Sequence, residues 1–402
     1  MKFLRFLFAF SFLLMSLNSF AQFRKYSNEF LNIGAGARGL GMGGAQIVSV
    51  NDGTAGYWNP AGLIFVKDNP NLALMHAEYF SGIGKYDFGG LALPTKNDNK
   101  VLGISFMRFA VDDIPNTLFL VNPDGSIDYN NISTFSSADY AVLLSYSQIL
   151  KQTEKELLSV GGNVKIIRRQ VGSFANSWGF GLDFGVMYHK EKWKFAAVLR
   201  DATTTFNAWS FTFTEREKEV LYLTKNDIPV KSTELTAPRL ILGVGKHFEL
   251  NDKLDLYAEA NLHLTFDGQR NTLLSTKIVN IDPNVGIEAA YNKVVFLRAG
   301  ISNFQQALSD GDTLNQKKVW IYQPSLGAGV KFSNVGIDYA FTNLANQSNP
   351  LYTHIISLKV DLVNDKSFKT NVEIRDKNTK ECFFSLKKYI VDHEFDELSN
   401  IG

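Results

Sequence analysis

The chain has 402 residues, with 41 Lys+Arg against 40 Asp+Glu. So even a balance leaves no footprint for nucleic acid, and a single cysteine, Cys382, excludes an internal disulfide framework. Glycine (31) and phenylalanine (32) are abundant, and no run past Gln22 approaches the ~20 apolar residues of a membrane helix, a combination that points to a β-barrel of the outer-membrane kind.

Lys2 and Arg5 give a positive start, Phe3 to Leu17 are mostly apolar, and Ser19 and Ala21 are small residues at cleavage-site spacing. This pattern predicts a signal peptide over 1–21, with the mature chain starting at Gln22. The rival, a single membrane anchor, needs a longer apolar run. No cysteine follows the small residues, so no lipid-attachment site is expected.

Residues 22–70 form the next unit. Gly34, Gly36 and Gly39 spell G-x-G-x-x-G, with Asp52 downstream. A dinucleotide fingerprint must leave a strand, open a helix and sit in a βαβ unit. The chain beyond this segment is a meander of hairpins instead, so the nucleotide reading is set aside. A glycine-rich segment ahead of a barrel has one natural place, inside the lumen, where small residues let backbone pack closely. Arg38 and Asp52 are its charges, expected to meet lumen carboxylates or Lys/Arg as a latch or as simple polar satisfaction.

From Asn71 onward the sequence alternates. Leu254, Leu256, Ala258, Ala260, Leu262 and Leu264 share one face, and Asp255, Tyr257, Glu259, Asn261 and His263 the other. Ile356, Leu358 and Val360 oppose Ser357, Lys359 and Asp361, and Val335, Ile337, Tyr339 and Phe341 oppose Gly336, Asp338 and Ala340. About fourteen such segments are predicted, at 72–80, 85–93, 100–110, 138–150, 156–170, 177–189, 191–200, 238–249, 252–264, 283–291, 293–301, 322–333, 334–342 and 352–362, most of them near the length of a tilted membrane strand. Short polar turns alternate with longer connections at 111–137, 201–237, 265–282, 302–321 and 343–351. An up-and-down membrane barrel sorts its loops in this way, with an apolar outer wall and a polar interior. The fold class is therefore all-β, a transmembrane antiparallel β-barrel of about 14 strands over 71–362, with the N-terminal plug in its lumen.

Within the first long loop, Leu118, Phe119, Leu120 and Val121 form an apolar run. It is expected to fold inward and narrow the barrel mouth, with partner docking as the competing reading. The loop at 201–237 is expected to hold a short helix or hairpin. Residues 363–402 are a charged, periplasmic C-terminal extension with some apolar content. The six histidines show no metal-ligand spacing, and no Ser/His or Asp/His pattern marks a hydrolase, so no metal, cofactor or catalytic residue is assigned.

The stretch "ARGLGMGGAQIVSVNDGTAGYWNPAGL" resembles the N-terminal signature of the PorV/PorQ-like outer-membrane proteins. That group is related to the FadL-type long-chain fatty-acid transporters, which carry a similar Asn-Pro-Ala-Gly sequence. The matching plug residues are Arg38, Gly41, Met42, Gly43, Gly44, Asp52, Trp58, Asn59, Pro60, Ala61 and Gly62. The resemblance implies an outer-membrane barrel with a hatch. It also implies non-covalent binding of cargo or translocon partners in, or beside, type IX protein secretion. The alternative is FadL-like transport of long-chain fatty acids or other hydrophobic small molecules. Expected partners are outer-membrane lipid, secretion proteins or such a ligand.

Overall fold

The computed structural model describes residues 27–122, 124–229, 231–308, 318–342 and 353–363. The expected signal peptide, the loop at 343–351 and nearly all of the C-terminal extension lie outside them. One unit runs through Asp361, and a second begins at Leu362.

The strands follow one another as antiparallel neighbours. They are β1 (Asn71–Tyr79), β2 (Gly84–Pro94), β3 (Lys100–Asn116), β4 (Ser133–Gln152), β5 (Glu156–Val171) and β6 (Ala175–Lys190). Then come β7 (Trp193–Arg200), β8 (Thr205–Phe211), β9 (Ser232–Thr236), β10 (Arg239–Asn251) and β11 (Leu254–Thr265). The short β12 (Leu274–Ser275) precedes β13 (Asn280–Tyr291), β14 (Val295–Leu308), β15 (Lys318–Phe332), β16 (Val335–Thr342) and β17 (Thr353–Asp361). β17 pairs back onto β1, which closes the sheet. β7 and β8 are two halves of one stave, since both pair with β6. β9 and β10 are likewise halves of the next stave, pairing with β8 and β7. With β12 a two-residue spur on β13, the seventeen segments make a closed barrel of fourteen staves. Closure removes the sheet edges that would otherwise expose unpaired backbone.

The predicted segments fall one to each stave. The turns follow local chemistry: Asn292 and Lys293 both adopt left-handed φ (50° and 57°), and Val294 N–H bonds the Tyr291 carbonyl at 3.0 Å. Those are the marks of a type I′ hairpin, whose twist matches the strands it joins. At the opposite end the pairing runs further than the alternation foretold. β3 and β4 stay paired to Asn116 and Ser133, so the expected loop at 111–137 shrinks to 117–132. The loop at 201–237 holds both expected features: the β8–β9 pair, and a helix, α3 (Glu215–Leu223), started by a Thr214/Glu217 capping box.

Residues 27–66 run inside the barrel as two short helices, α1 (Ala37–Gly41) and α2 (Ala55–Trp58), two 3₁₀ turns (Glu29–Asn32 and Pro60–Phe65) and connecting backbone. Inward side chains of the wall are not uniformly polar. Tyr86, Met107, Ile167, Met187, Ile241 and Ile355 are fully buried and join Ile47, Val48, Leu63 and Ile64 of the plug in one core. The expected polar interior is corrected to this extent. Where the plug brings apolar residues to the wall, an apolar wall side chain removes more surface from water than a polar one. Outward residues form a belt of Leu, Val, Ile, Phe, Trp and Tyr.

Candidate functional site

The plug motif is a docking surface for the wall. Asn59 caps its own 3₁₀ turn by accepting the Ala61 N–H at 3.0 Å, and donates to the Ile47 carbonyl at 3.0 Å. Pro60 opens that turn, where a missing N–H costs nothing. The Ala61 carbonyl accepts from two wall hydroxyls, Ser147 (3.2 Å) and Ser159 (3.1 Å). A Cβ on Gly161 would come within 2.5 Å of the Ala61 nitrogen, so this wall glycine is the notch that admits the motif. Gly62 lies against Val50. Trp58 donates to the Ala35 carbonyl at 2.7 Å, and Gly34, Gly39 and Gly44 pack on its ring. The G-x-G-x-x-G spelling thus serves a tryptophan and not a pyrophosphate.

Further on, the plug backbone meets notches in β13 to β15. A Cβ on Gly286 would lie 2.5 Å from the Met42 carbonyl oxygen, and one on Gly300 would overlap the Met42 carbonyl carbon. Gly41 faces Gly327, backbone to backbone. Gly43 turns at φ +65°, open to glycine without strain, with its α-carbon against the Ile301 backbone.

Arg38 and Asp52 end one chain of alternating charges that takes side chains from four staves and crosses a fifth. Arg38 grips Glu288 on β13 with two bonds (2.8 and 2.9 Å), and Glu288 accepts from Arg298 on β14 at 2.6 Å. Arg298 reaches Asp338 on β16 at 2.7 Å; Asp338 pairs with Lys359 on β17 at 3.1 Å, and Lys359 with Asp52 at 2.9 Å. The Arg298–Asp338 pair crosses β15 at Gly329, where a Cβ would sit 2.8 Å from the Arg298 Nη1. Three cations and three anions cancel, as burial requires. Burial pushes the Asp52 carboxyl up, but Lys359, the Thr54 hydroxyl and Arg38 outweigh it and hold it at about 2. Its folded value lies below the ordinary 3.8, so its stabilising effect, on the order of 2 kcal/mol, is complete above pH 4 and is lost as pH falls through 2. Protease resistance of the plug, followed from pH 5 to pH 2, should drop over that window in the native protein. In Asp52→Asn that pH step should be missing.

The stave made of β7 and β8 breaks at 201–204, and its neighbour breaks at 237–238 on the same level. Asp201 and Thr204 carry left-handed φ there (55° and 57°). Lys165 on β5 bonds Asp183 at 2.8 Å and also Asp201, with all three side chains buried. Asn28 of the plug seals the inner side, donating to Thr236 at 2.8 Å and accepting from Asn207 at 2.9 Å. Gly179 and Gly181 on β6 make room for the Asn207 and Thr205 side chains.

Opposite the ion chain, between the plug and the loop-bearing mouth, lies a cavity of about 510 Å³. Tyr57, Trp58, Tyr79, Phe80 and Phe109 form an aromatic wall, and Arg200, Arg239 and Arg270 a basic one. Arg270 is paired to Asp267 (2.5 Å) and Glu29 (3.4 Å). Arg200 donates to the Tyr57 carbonyl at 3.1 Å and stacks on its ring; Arg239 donates to Asn32 at 2.8 Å. Neither has a carboxylate within ion-pair distance among the described residues. Asp282 also faces the cavity, its Oδ1 without a hydrogen-bond partner among the described residues.

Trp58, Gly43 and Gly44 of the motif reach this cavity, whereas Arg38 and Asp52 line a smaller one, about 240 Å³, on the short-turn side. Leu118, Phe119 and Leu120 are half-buried in the outer loops and Val121 is exposed. The Arg216 guanidinium of α3 lies 4.5 Å over the Phe119 ring, and none of the four is among the residues that line the mouth cavity. The sequence reading missed Arg200, Arg239, Phe109 and Lys165. Each stands on the inward phase of its strand, and a charge on that phase is the signal that could have found the basic ones.

Geometry and fold together define a plugged fourteen-stave antiparallel barrel with a ligand-sized chamber above the plug. Among solved structures it is similar to the CymD monoaromatic hydrocarbon channel, at TM-score 0.50 and 14% identity over 82% of this chain and 98% of that one. It also matches the Pseudomonas putida toluene transporter TodX (TM-score 0.48, 13% identity, 84% and 98% covered) and a Pseudomonas aeruginosa FadL homologue (0.44, 14%, 82% and 98%). At such identity the CymD likeness is one of fold. No protein-family model and no curated protein matches the chain.

Proposed function

We propose that this protein is an outer-membrane channel for the uptake of hydrophobic small molecules, closed at rest by its plug. The mouth cavity carries the reading. Its volume of about 510 Å³ is in the range of small-molecule sites, with an apolar wall and a few convergent polar groups. Arg200 and Arg239 suit an anionic end on an otherwise apolar molecule. The outward apolar belt suits hydrocarbon, and closed strand pairing satisfies the backbone where lipid cannot. The shared fold of a hydrocarbon channel supports the same reading. The break at 201–204 and 237–238 supplies a place where the wall could open sideways. No observation among the described residues specifically favours type IX secretion.

Mass spectrometry of the purified protein should show bound amphiphiles such as fatty acids. Arg239→Gln should weaken binding of an added fatty acid about tenfold, on the order of 1.4 kcal/mol. Co-purifying secretion proteins with no bound lipid, together with a secretion defect and normal lipid uptake in a deletion strain, would replace this reading with the secretion one.

A further inference from the structure

The outer belt is uneven in height. On β11 the outward residues from Leu254 to Leu264 are all apolar, and on β13 those from Ile281 to Tyr291 carry no charge. On β1 only Leu72 and Leu74 are apolar. His76 and Glu78 follow on the same face, their side chains 55% and 59% exposed. Register sets His76 opposite Asp87 on β2, and Asp87 opposite Arg108 on β3. His76 Nδ1 lies 2.7 Å from Asp87, Arg108 donates to Asp87 at 3.2 Å, and Lys85 to Asp112 at 3.0 Å. At a rise of ~3.3 Å per residue and a tilt of ~40°, His76 stands about 13 Å above Asn71 and Asp87 about 18 Å above Pro94. Elsewhere on a membrane barrel an apolar band ~25 Å tall covers those heights, and hydrocarbon penalises ionised side chains there.

We infer that the outer face of β1 to β3, beside the seam with β17, docks the polar head-group layer of the outer leaflet. That layer dips along this face to about half the belt's depth, so the membrane is thinned where the barrel closes. The inference rests on the reading of the chain as a membrane barrel. One observation chooses head groups over a protein partner: the charges are already paired within the face, so none waits for a counter-charge. The same strands carry Tyr79 and Phe109 on the cavity side, with Phe80 in the turn after β1, so the dip brings a polar membrane surface alongside the aromatic wall of the mouth.

The test uses the full chain with Cys382→Ser and single bimane-labelled cysteines at His76, Gly89, Leu262 or Ile287, in phosphatidylcholine vesicles. Gly89→Cys lies on the same outer face and keeps every charge in place. Labels at 76 and 89 should be quenched by aqueous iodide, and labels at 262 and 287 by lipids brominated along the chain. Quenching of 76 and 89 by brominated chains overturns the inference while the control sites uphold the membrane reading. Shielding of 76 and 89 from both quenchers also overturns it, in favour of a second copy of the chain covering the face. Control sites untouched by brominated lipid overturn the membrane reading itself.

Discussion

Replacing Lys165 by methionine is expected to destabilise the barrel by about 3–5 kcal/mol, because it strands two buried carboxylates. Asp183 and Asp201 both face the Lys165 ammonium, with Lys165 itself only 5% exposed. Asp183 would keep the Asp201 N–H at 2.9 Å and Asn163 at 3.3 Å, and Asp201 would keep Thr205. None of these carries a positive charge. The loss falls where the β7–β8 stave is already broken and where Asn163 holds the Gly56 carbonyl of the plug at 2.7 Å. Wall and plug should loosen there together. The measurement is the urea midpoint of the detergent-refolded protein. Lys165→Met combined with Asp183→Asn and Asp201→Asn should recover most of the loss, since a neutral cluster of similar shape has no charge left to solvate. An unchanged midpoint in the single variant would show that the cluster is water-exposed in solution.

Gly300→Val is expected to unseat the plug while sparing the barrel. Valine favours a strand, so the wall should still form. The new side chain would occupy the space of the Met42 carbonyl group, and backbone cannot yield as a flexible side chain can. The Met42–Gly44 turn would be driven off β14, taking the Gly41 contact with β15 with it. Limited proteolysis should then cut within 27–66, and bilayer recordings should show open conductance where the native protein is closed. Ala299→Val, on the outward face of the same strand, should do neither. A protease-resistant plug and a closed channel in Gly300→Val would mean that the plug does not lie on this wall.

Much of this barrel is legible in the sequence, because hydrocarbon outside and a packed plug inside impose a two-residue period on every stave. Leu254 to Thr265 shows that period at a glance, and Asn292-Lys293 shows the turn. The plug's charges are legible as charges but not as a chain. Glu288, Arg298, Asp338 and Lys359 are far apart in sequence, and their contact depends on strand register and on Gly329 letting one pair cross β15. Arg200 and Arg239 become neighbours only because β10 pairs with β7 across the whole β8–α3–β9 excursion. The break after Arg200 is hidden for a related reason. Asp-Ala-Thr-Thr reads as the start of a loop, and nothing local announces that the ladder resumes at Thr205. Leu118 to Leu120 looks suited to the mouth because an apolar run needs cover, and α3 of the neighbouring loop supplies some of it.

The most direct test of the account is a crystal of the protein grown with a terminally brominated fatty acid. The anomalous bromine signal should fall inside the mouth cavity, against Trp58 and Phe109, with the carboxylate towards Arg200 and Arg239. Bromine found only on the outer belt, with the cavity holding water alone, would contradict it.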